Sequence, residues 1–175
     1  NAVGVAADPD ARGRGAIIMS AHLGNWEHGA MALAKKYPVA AVVQPHADRR
    51  TNRLFEERRV LNGVDTIPTG LSFRKALRAL KNGRVVCLTG DRRFSDKGVK
   101  ALFFGKETLL PKGAAALSEK SGAPVVAAYL VPEKNSKKYR LRFYDAVWPE
   151  EHEDVMEPLV KRLEDMIREH PTQWF

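Results

Sequence analysis

Cysteine is nearly absent from this chain. Cys87 is the single one among 175 residues, so no disulfide can form within it. It lies in the apolar run Val85-Val86-Cys87-Leu88, which reads as a buried, inert thiol and fits a cytosolic compartment. No apolar run approaches the roughly 18 residues that a bilayer-crossing helix needs. The start, Asn1-Ala2-Val3-Gly4, has neither the basic stretch nor the apolar stretch of a signal peptide. The serine-elbow pattern G-x-S-x-G is missing, as is the phosphate-binding pattern G-x-x-x-x-G-K-[ST]. The spacing of His22, Glu27 and His28 matches neither H-E-x-x-H nor H-x-x-E-H, so a metal site is not expected. There is no internal repeat and no low-complexity linker.

What is present is an ordinary globular composition, 44% hydrophobic and 29% charged, suited to one domain. The balance of charge is not ordinary. Lys and Arg number 29 against 21 Asp and Glu, a formal net charge of +8. A basic surface favours anionic partners such as phospholipid headgroups, acidic carrier proteins or nucleic acid. Nucleic acid is disfavoured, because no groove-reading motif occurs and few aromatics interleave the arginines.

Apolar runs alternate with helix-period segments. Strands are predicted at Ala16–Ala21, Val39–Val43, Asp65–Pro68, Arg84–Thr89, Ala101–Phe104, Pro124–Val131 and Tyr139–Asp145. Helices are predicted at Trp26–Lys36, Asp48–Leu61, Ser72–Asn82, Gly113–Ser121 and Asp154–His170, with Asp48 and Ser72 as N-caps and Gly83 and Gly122 past the C-termini. The alternation implies an α/β fold with a mixed, largely parallel sheet flanked by helices. Val125–Val131 and Tyr139–Tyr144, joined across Glu133–Lys137, form an antiparallel hairpin in this reading.

The most informative stretch is His22-Leu23-Gly24-Asn25-Trp26-Glu27, between the first strand and the first helix. A histidine at a strand exit can act as a general base on a hydroxyl, and a carboxylate at the following helix start can orient its ring. Gly24 is expected to let the backbone approach a substrate, and Asn25 to cap the helix and aim its early N–H groups at the site. His46, His152 and His170 sit in polar surroundings and read as surface residues. Gly90-Asp91-Arg92-Arg93 follows another strand, where a guanidinium fork suits a phosphate-bearing headgroup. Asp91 reaches His22 if the two strands are neighbours. The helix Asp48–Leu61 carries Arg49, Arg50, Arg53, Arg58 and Arg59, with Leu54, Phe55 and Leu61 as its expected buried stripe. One or two of these arginines are candidates for phosphate binding or carrier docking. Pro111-Lys112-Gly113 opens a helix that can meet an anion. With a base and no serine nucleophile, direct transfer of an acyl group to a bound hydroxyl is the simplest chemistry.

Together these stretches resemble the lysophospholipid acyltransferase superfamily with its H-x4-D/E motif, and within it the bacterial lipid A biosynthesis acyltransferase group, phosphatidylinositol mannoside acyltransferases included. The likeness rests on Ser20–Glu27, Val86–Arg92, Phe103-Phe104-Gly105, Pro111–Ala114, Ser121–Val126 and the closing His170-Pro171-Thr172-Gln173-Trp174-Phe175. The resemblance implies a glycerol-3-phosphate acyltransferase-like fold, with His22 as base and Glu27 as its partner. It also implies Asp91 as a second functional acid and Arg59 as an arginine used in activity, while Asn25, Arg92 and Arg93 are further substrate contacts that the residues themselves suggest. The co-substrate it implies is an acyl thioester of acyl carrier protein or CoA, with no bound cofactor and no metal. The acceptor is a membrane glycolipid, and the place is the cytoplasmic face of the bacterial inner membrane. Gln44-Pro45 stands where many lipid A enzymes have Arg-Pro, and Asp91-Arg92-Arg93 leans toward the mannoside acyltransferase pattern. The resemblance further implies a single core domain over 1–175, cut at both ends. A non-catalytic anionic-lipid module using the arginine helix is the competing reading, and a thioesterase using the same base on water is a third. In the acyltransferase reading, the Gly90–Arg93 turn and the arginine helix select the acceptor lipid.

Overall fold

A computed structural model describes residues 14–93, 98–134 and 136–175. The start Asn1–Gly4 and Asn135 of the expected hairpin turn lie outside the described residues. The elements run β1 (Ala16–Ser20), α1 (Trp26–Ala34), β2 (Val39–Val43), α2 (Arg49–Leu61), β3 (Val64–Pro68), α3 (Ser72–Lys81), β4 (Val85–Thr89), β5 (Val99–Phe103), β6 (Lys106–Leu110), α4 (Gly113–Ser121), β7 (Val125–Pro132), β8 (Tyr139–Phe143) and α5 (Met156–Glu169). Six strands make one sheet in the order β3-β2-β4-β1-β7-β8. Its pairings are parallel except for β7–β8, which are antiparallel as the hairpin reading expects.

The central strands read as continuous apolar runs because helices cover both faces. Alternation sorts their side chains. Ile17, Met19, Val86, Val125 and Ala127 face a core built with α3, α4 and α5. Ala16, Ile18, Val85, Cys87, Val126 and Ala128 face the other way, toward Leu33 and the partly buried Ala30 and Met31 of α1.

Asp48 caps α2 as expected, its Oδ1 accepting from the Thr51 amide at 2.8 Å and the Thr51 hydroxyl at 2.7 Å. Ser72 does not act as an N-cap. It is already helical (φ −64°, ψ −43°), because a 3-10 turn over Thr69–Leu71 leads straight into α3. Sequence reading also missed β6, whose Lys106-Glu107-Thr108 looks like a loop. It pairs with β5 in a separate two-stranded ribbon whose Lys100 and Glu107 join in an exposed ion pair. The buried stripe of α2 is likewise different. Leu54 and Leu61 face water, 50% and 83% exposed, while Arg59 is buried and Phe55 half-buried.

Two backbone devices fix the loop after β1. Gly24 has φ +60°, and a Cβ there would lie 2.1 Å from the carbonyl oxygen of Leu130. The close approach this glycine allows is therefore to β7, not to a substrate. The neighbouring Asn25 amide donates to that same oxygen at 2.9 Å. Gly24→Ala is expected to cost about 2–3 kcal/mol, from left-handed strain plus displacement of β7. Denaturant unfolding of the two chains measures it.

Candidate active site

The sheet register assembles the site. β1 and β4 pair Ser20 with Thr89, and the Gly90 amide continues the ladder to the Ser20 carbonyl at 2.8 Å. Two residues on from each, His22 and Asp91 come face to face beyond the carboxyl ends of neighbouring parallel strands. The helix after β1 covers one face of the sheet and the helix after β4 the other, so the pair sits where ligands collect in such folds.

Asp91 Oδ1 lies 2.9 Å from His22 Nδ1. Its Oδ2 accepts from the His22 amide at 3.0 Å and from the Trp174 indole N–H at 3.0 Å. The Asp91 side chain has no exposure and that of His22 is 17% exposed. Burial pushes the Asp91 carboxyl upward. The hydrogen bonds from the His22 ring, Trp174 and the His22 amide outweigh it and hold the group below its usual range. An ionised carboxylate only accepts, so Nδ1 carries the proton and Nε2 keeps its lone pair. In that tautomer Nε2 is an acceptor site. Because the folded value is lowered, Asp91 contributes stability above the ordinary carboxylate range, and this is lost as pH falls through its folded value.

The carboxylate on Nδ1 is thus Asp91, where sequence reading put Glu27. Glu27 takes both oxygens to Arg59, accepting from Nε at 2.9 Å and from Nη2 in a shorter contact. This pairing has a physical reason. Arg59 is the one guanidinium of α2 that folding takes out of water, and a buried cation needs a carboxylate. Asn25 caps α1, its Oδ1 accepting from the His28 amide at 3.1 Å, with the His28 ring Nδ1 3.0 Å away. His22, Glu27 and His28 therefore face three different partners. Arg92 and Arg93 are exposed on the turn after β4. Arg92 Nε stands 4.0 Å from Asp91 Oδ2.

Beside His22 is a cavity of about 340 Å³, within the usual size for ligand pockets. His22, Glu27 and Arg59 supply its polar wall. Ile18, Leu33, Ala41, Cys87, Ala128 and Leu141 supply an apolar one. Burial pushes the Cys87 thiol up to about 12, which keeps it un-ionised there. Gln44, Pro45 and His46 line the same cavity, and the His46 ring stacks on Phe55 at 4.7 Å. His46 thus belongs to the cavity wall and not merely to the surface. Arg92 and Arg93 do not line it.

Sequence reasoning assigned no role to Trp174. The last three residues are stitched to the histidine loop: the Gly24 amide donates to the Gln173 carbonyl at 2.8 Å, and the Phe175 amide to the His22 carbonyl at 3.0 Å. The closing motif was visible as a pattern, but its contact with Asp91 spans 83 residues. Trp174→Phe removes a donor from a buried carboxylate and is expected to cost about 1.5–3 kcal/mol. Urea unfolding of the variant beside the wild type measures the loss.

A buried histidine–aspartate pair beyond the carboxyl ends of parallel strands, with an apolar cavity beside it, is the arrangement an α/β enzyme domain presents at its ligand site. The sequence model of the bacterial lipid A biosynthesis acyltransferases matches residues 7–175, and the chain belongs to that family. A phosphatidylinositol mannoside acyltransferase of Mycobacterium tuberculosis (strain CDC 1551 / Oshkosh) is 27% identical over 172 residues, covering 94% of this chain and 54% of the relative. The protein of that name from Mycolicibacterium smegmatis is 27% identical over 169 residues, covering 93% and 55%. The chain thus spans about half the length of the curated relatives it matches. No helix among the described residues is long and apolar enough to cross a membrane.

Proposed function

We propose that this domain transfers a fatty acyl group from a thioester to a hydroxyl of a membrane glycolipid. The observation that carries this reading is the His22–Asp91 pair opening onto an apolar cavity. In the scheme, the acyl chain lies against Ile18, Ala41, Cys87 and Ala128, which places the thioester carbonyl near His22. Nε2 takes the proton of the acceptor hydroxyl while Asp91 holds the ring and balances the imidazolium. The oxygen attacks the carbonyl, the C–O bond forms and the C–S bond breaks. The departing thiolate takes the proton back from His22. Glu27, tied to Arg59, fixes α2 over the cavity.

The donor is a thioester of acyl carrier protein or CoA. The acceptor is a glycolipid of the lipid A precursor or phosphatidylinositol mannoside kind, met at the cytoplasmic face of the bacterial inner membrane. The names of the relatives favour the mannoside, and Gln44-Pro45 in the cavity wall fits a departure from the lipid A enzymes.

The test is incubation of the chain with a radiolabelled acyl thioester and mixed membrane lipids, followed by mass spectrometry. The expected result is a lipid heavier by one acyl group for each thiol released. Free fatty acid in its place would make the protein a thioesterase. Lipid binding without thiol release would leave only the binding-module reading.

A further inference from the structure

A second concavity, a groove of about 910 Å³, lies between α1 and α2 on the far side of the Glu27–Arg59 bridge. It shares Glu27 and Phe55 with the first cavity, so the two adjoin at that bridge. His28, Met31 and Ala32 of α1 line it with Lys35 just past that helix, as do Phe55 and Arg58 of α2 with Asn62 just past its end. Lys35 and Arg58 are exposed, and neither is paired with a carboxylate among the described residues. The one carboxylate in the wall, Glu27, is already taken by Arg59. Asn25 Oδ1 accepts from the His28 amide, which fixes it as the amide oxygen, so the His28 ring donates to it through Nδ1 and keeps Nε2 for a ligand. The floor, by contrast, is apolar: Met31, Phe55 and Leu130.

Two cations without carboxylate partners lining one groove, with a histidine in the same lining and its one acid already paired, suit a phosphate group. The guanidinium fork suits phosphate oxygens and the lysine supplies a point charge. The apolar floor suits the body to which that phosphate is attached.

We propose that this groove binds the phosphate ester of one of the two substrates, gripped by Lys35 and Arg58, so that the attached body leads past Glu27 to His22. This deepens the acyl-transfer reading and rests on it for the identity of the ligand. The phosphate comes either from the pantetheine–nucleotide part of the thioester donor or from the headgroup of the lipid acceptor.

Calorimetry on the full chain decides the matter with two probes, coenzyme A and dihexanoyl phosphatidylinositol below its micelle concentration. At least one should bind. Its dissociation constant should rise by about tenfold or more in the Lys35→Gln/Arg58→Gln variant and weaken from 50 to 200 mM salt, as phosphate contacts do. Loss of coenzyme A binding assigns the groove to the donor, and loss of phosphatidylinositol binding assigns it to the acceptor. Circular dichroism and fatty-acid binding in the first cavity should be unchanged in the variant, since neither side chain lines that cavity. Failure of both probes to bind the wild type, or equal affinities in the variant for every probe that binds, overturns the proposal. Binding is read without turnover. A chain that grips phosphate through these residues yet transfers no acyl group would keep the groove and lose only the reaction.

Discussion

Replacing His22 by alanine should lower acyl transfer by a factor on the order of 10²–10⁴, the usual worth of a positioned base. The loss should fall on kcat. The apolar cavity wall that would hold the acyl chain is supplied by β1, β2, β4, β7, β8 and α1 and does not depend on the imidazole. Folding should be little affected, because the backbone contacts of position 22 remain available. Its amide still has Asp91 and its carbonyl still accepts from Phe175. The variant should therefore unfold near the wild-type temperature and still bind fatty acid. Single-turnover transfer with labelled thioester measures the chemical step directly. A variant that transfers within a few fold of wild type would remove His22 from the mechanism.

Asp91→Asn should fall at the upper end of that range, on the order of 10⁴, as the equivalent change does in a histidine–aspartate pair. The reason here is written in the hydrogen bonds. Two N–H groups, the His22 amide and the Trp174 indole, both donate to Oδ2. An asparagine must place its carbonyl oxygen there and so turns its NH₂ toward the ring. That NH₂ donates to Nδ1, which forces the ring proton onto Nε2. The geometry survives while the base is lost. Asp91→Glu would keep the charge but lengthen the side chain, and should retain more activity than Asp91→Asn. Equal rates for wild type and Asp91→Asn would show that the tautomer is irrelevant.

Local features were legible in the sequence and long-range ones were not. β1, α1 and the loop holding His22 followed from an apolar run, a capping asparagine and a helix-period segment within a dozen residues. The choice between Glu27 and Asp91 as the ring's partner did not. It depends on β1 and β4 being neighbours in a particular register, and strands of like composition pair in several ways. Glu27 is five residues from His22 in sequence, but it sits in the first helical turn and is claimed by Arg59.

The arginine helix shows the same limit from another side. Five arginines and three large apolar residues on α2 suggest an apolar stripe inside and charge outside. The fold buries Arg59 and leaves Leu54 and Leu61 in water, because Glu27 and the cavity, not a hydrophobic core, lie beneath the helix. Composition cannot distinguish Arg59 from Arg58 beside it. One closes on Glu27 and the other lines the outer groove. β6 was missed because an exposed ribbon needs few apolar residues to pair. Gly24 was read correctly as a place of close approach but assigned the wrong neighbour, since the strand that comes close, β7, is more than a hundred residues away.

The central claim is that Asp91 sets the His22 tautomer, with the ring proton on Nδ1 and none on Nε2. Nitrogen-15 NMR of the histidine rings, at mildly alkaline pH, tests it most directly. For His22 the account predicts a protonated Nδ1 with a low-field proton and an unprotonated Nε2, reversed in Asp91→Asn. A wild-type ring protonated at Nε2 would contradict it.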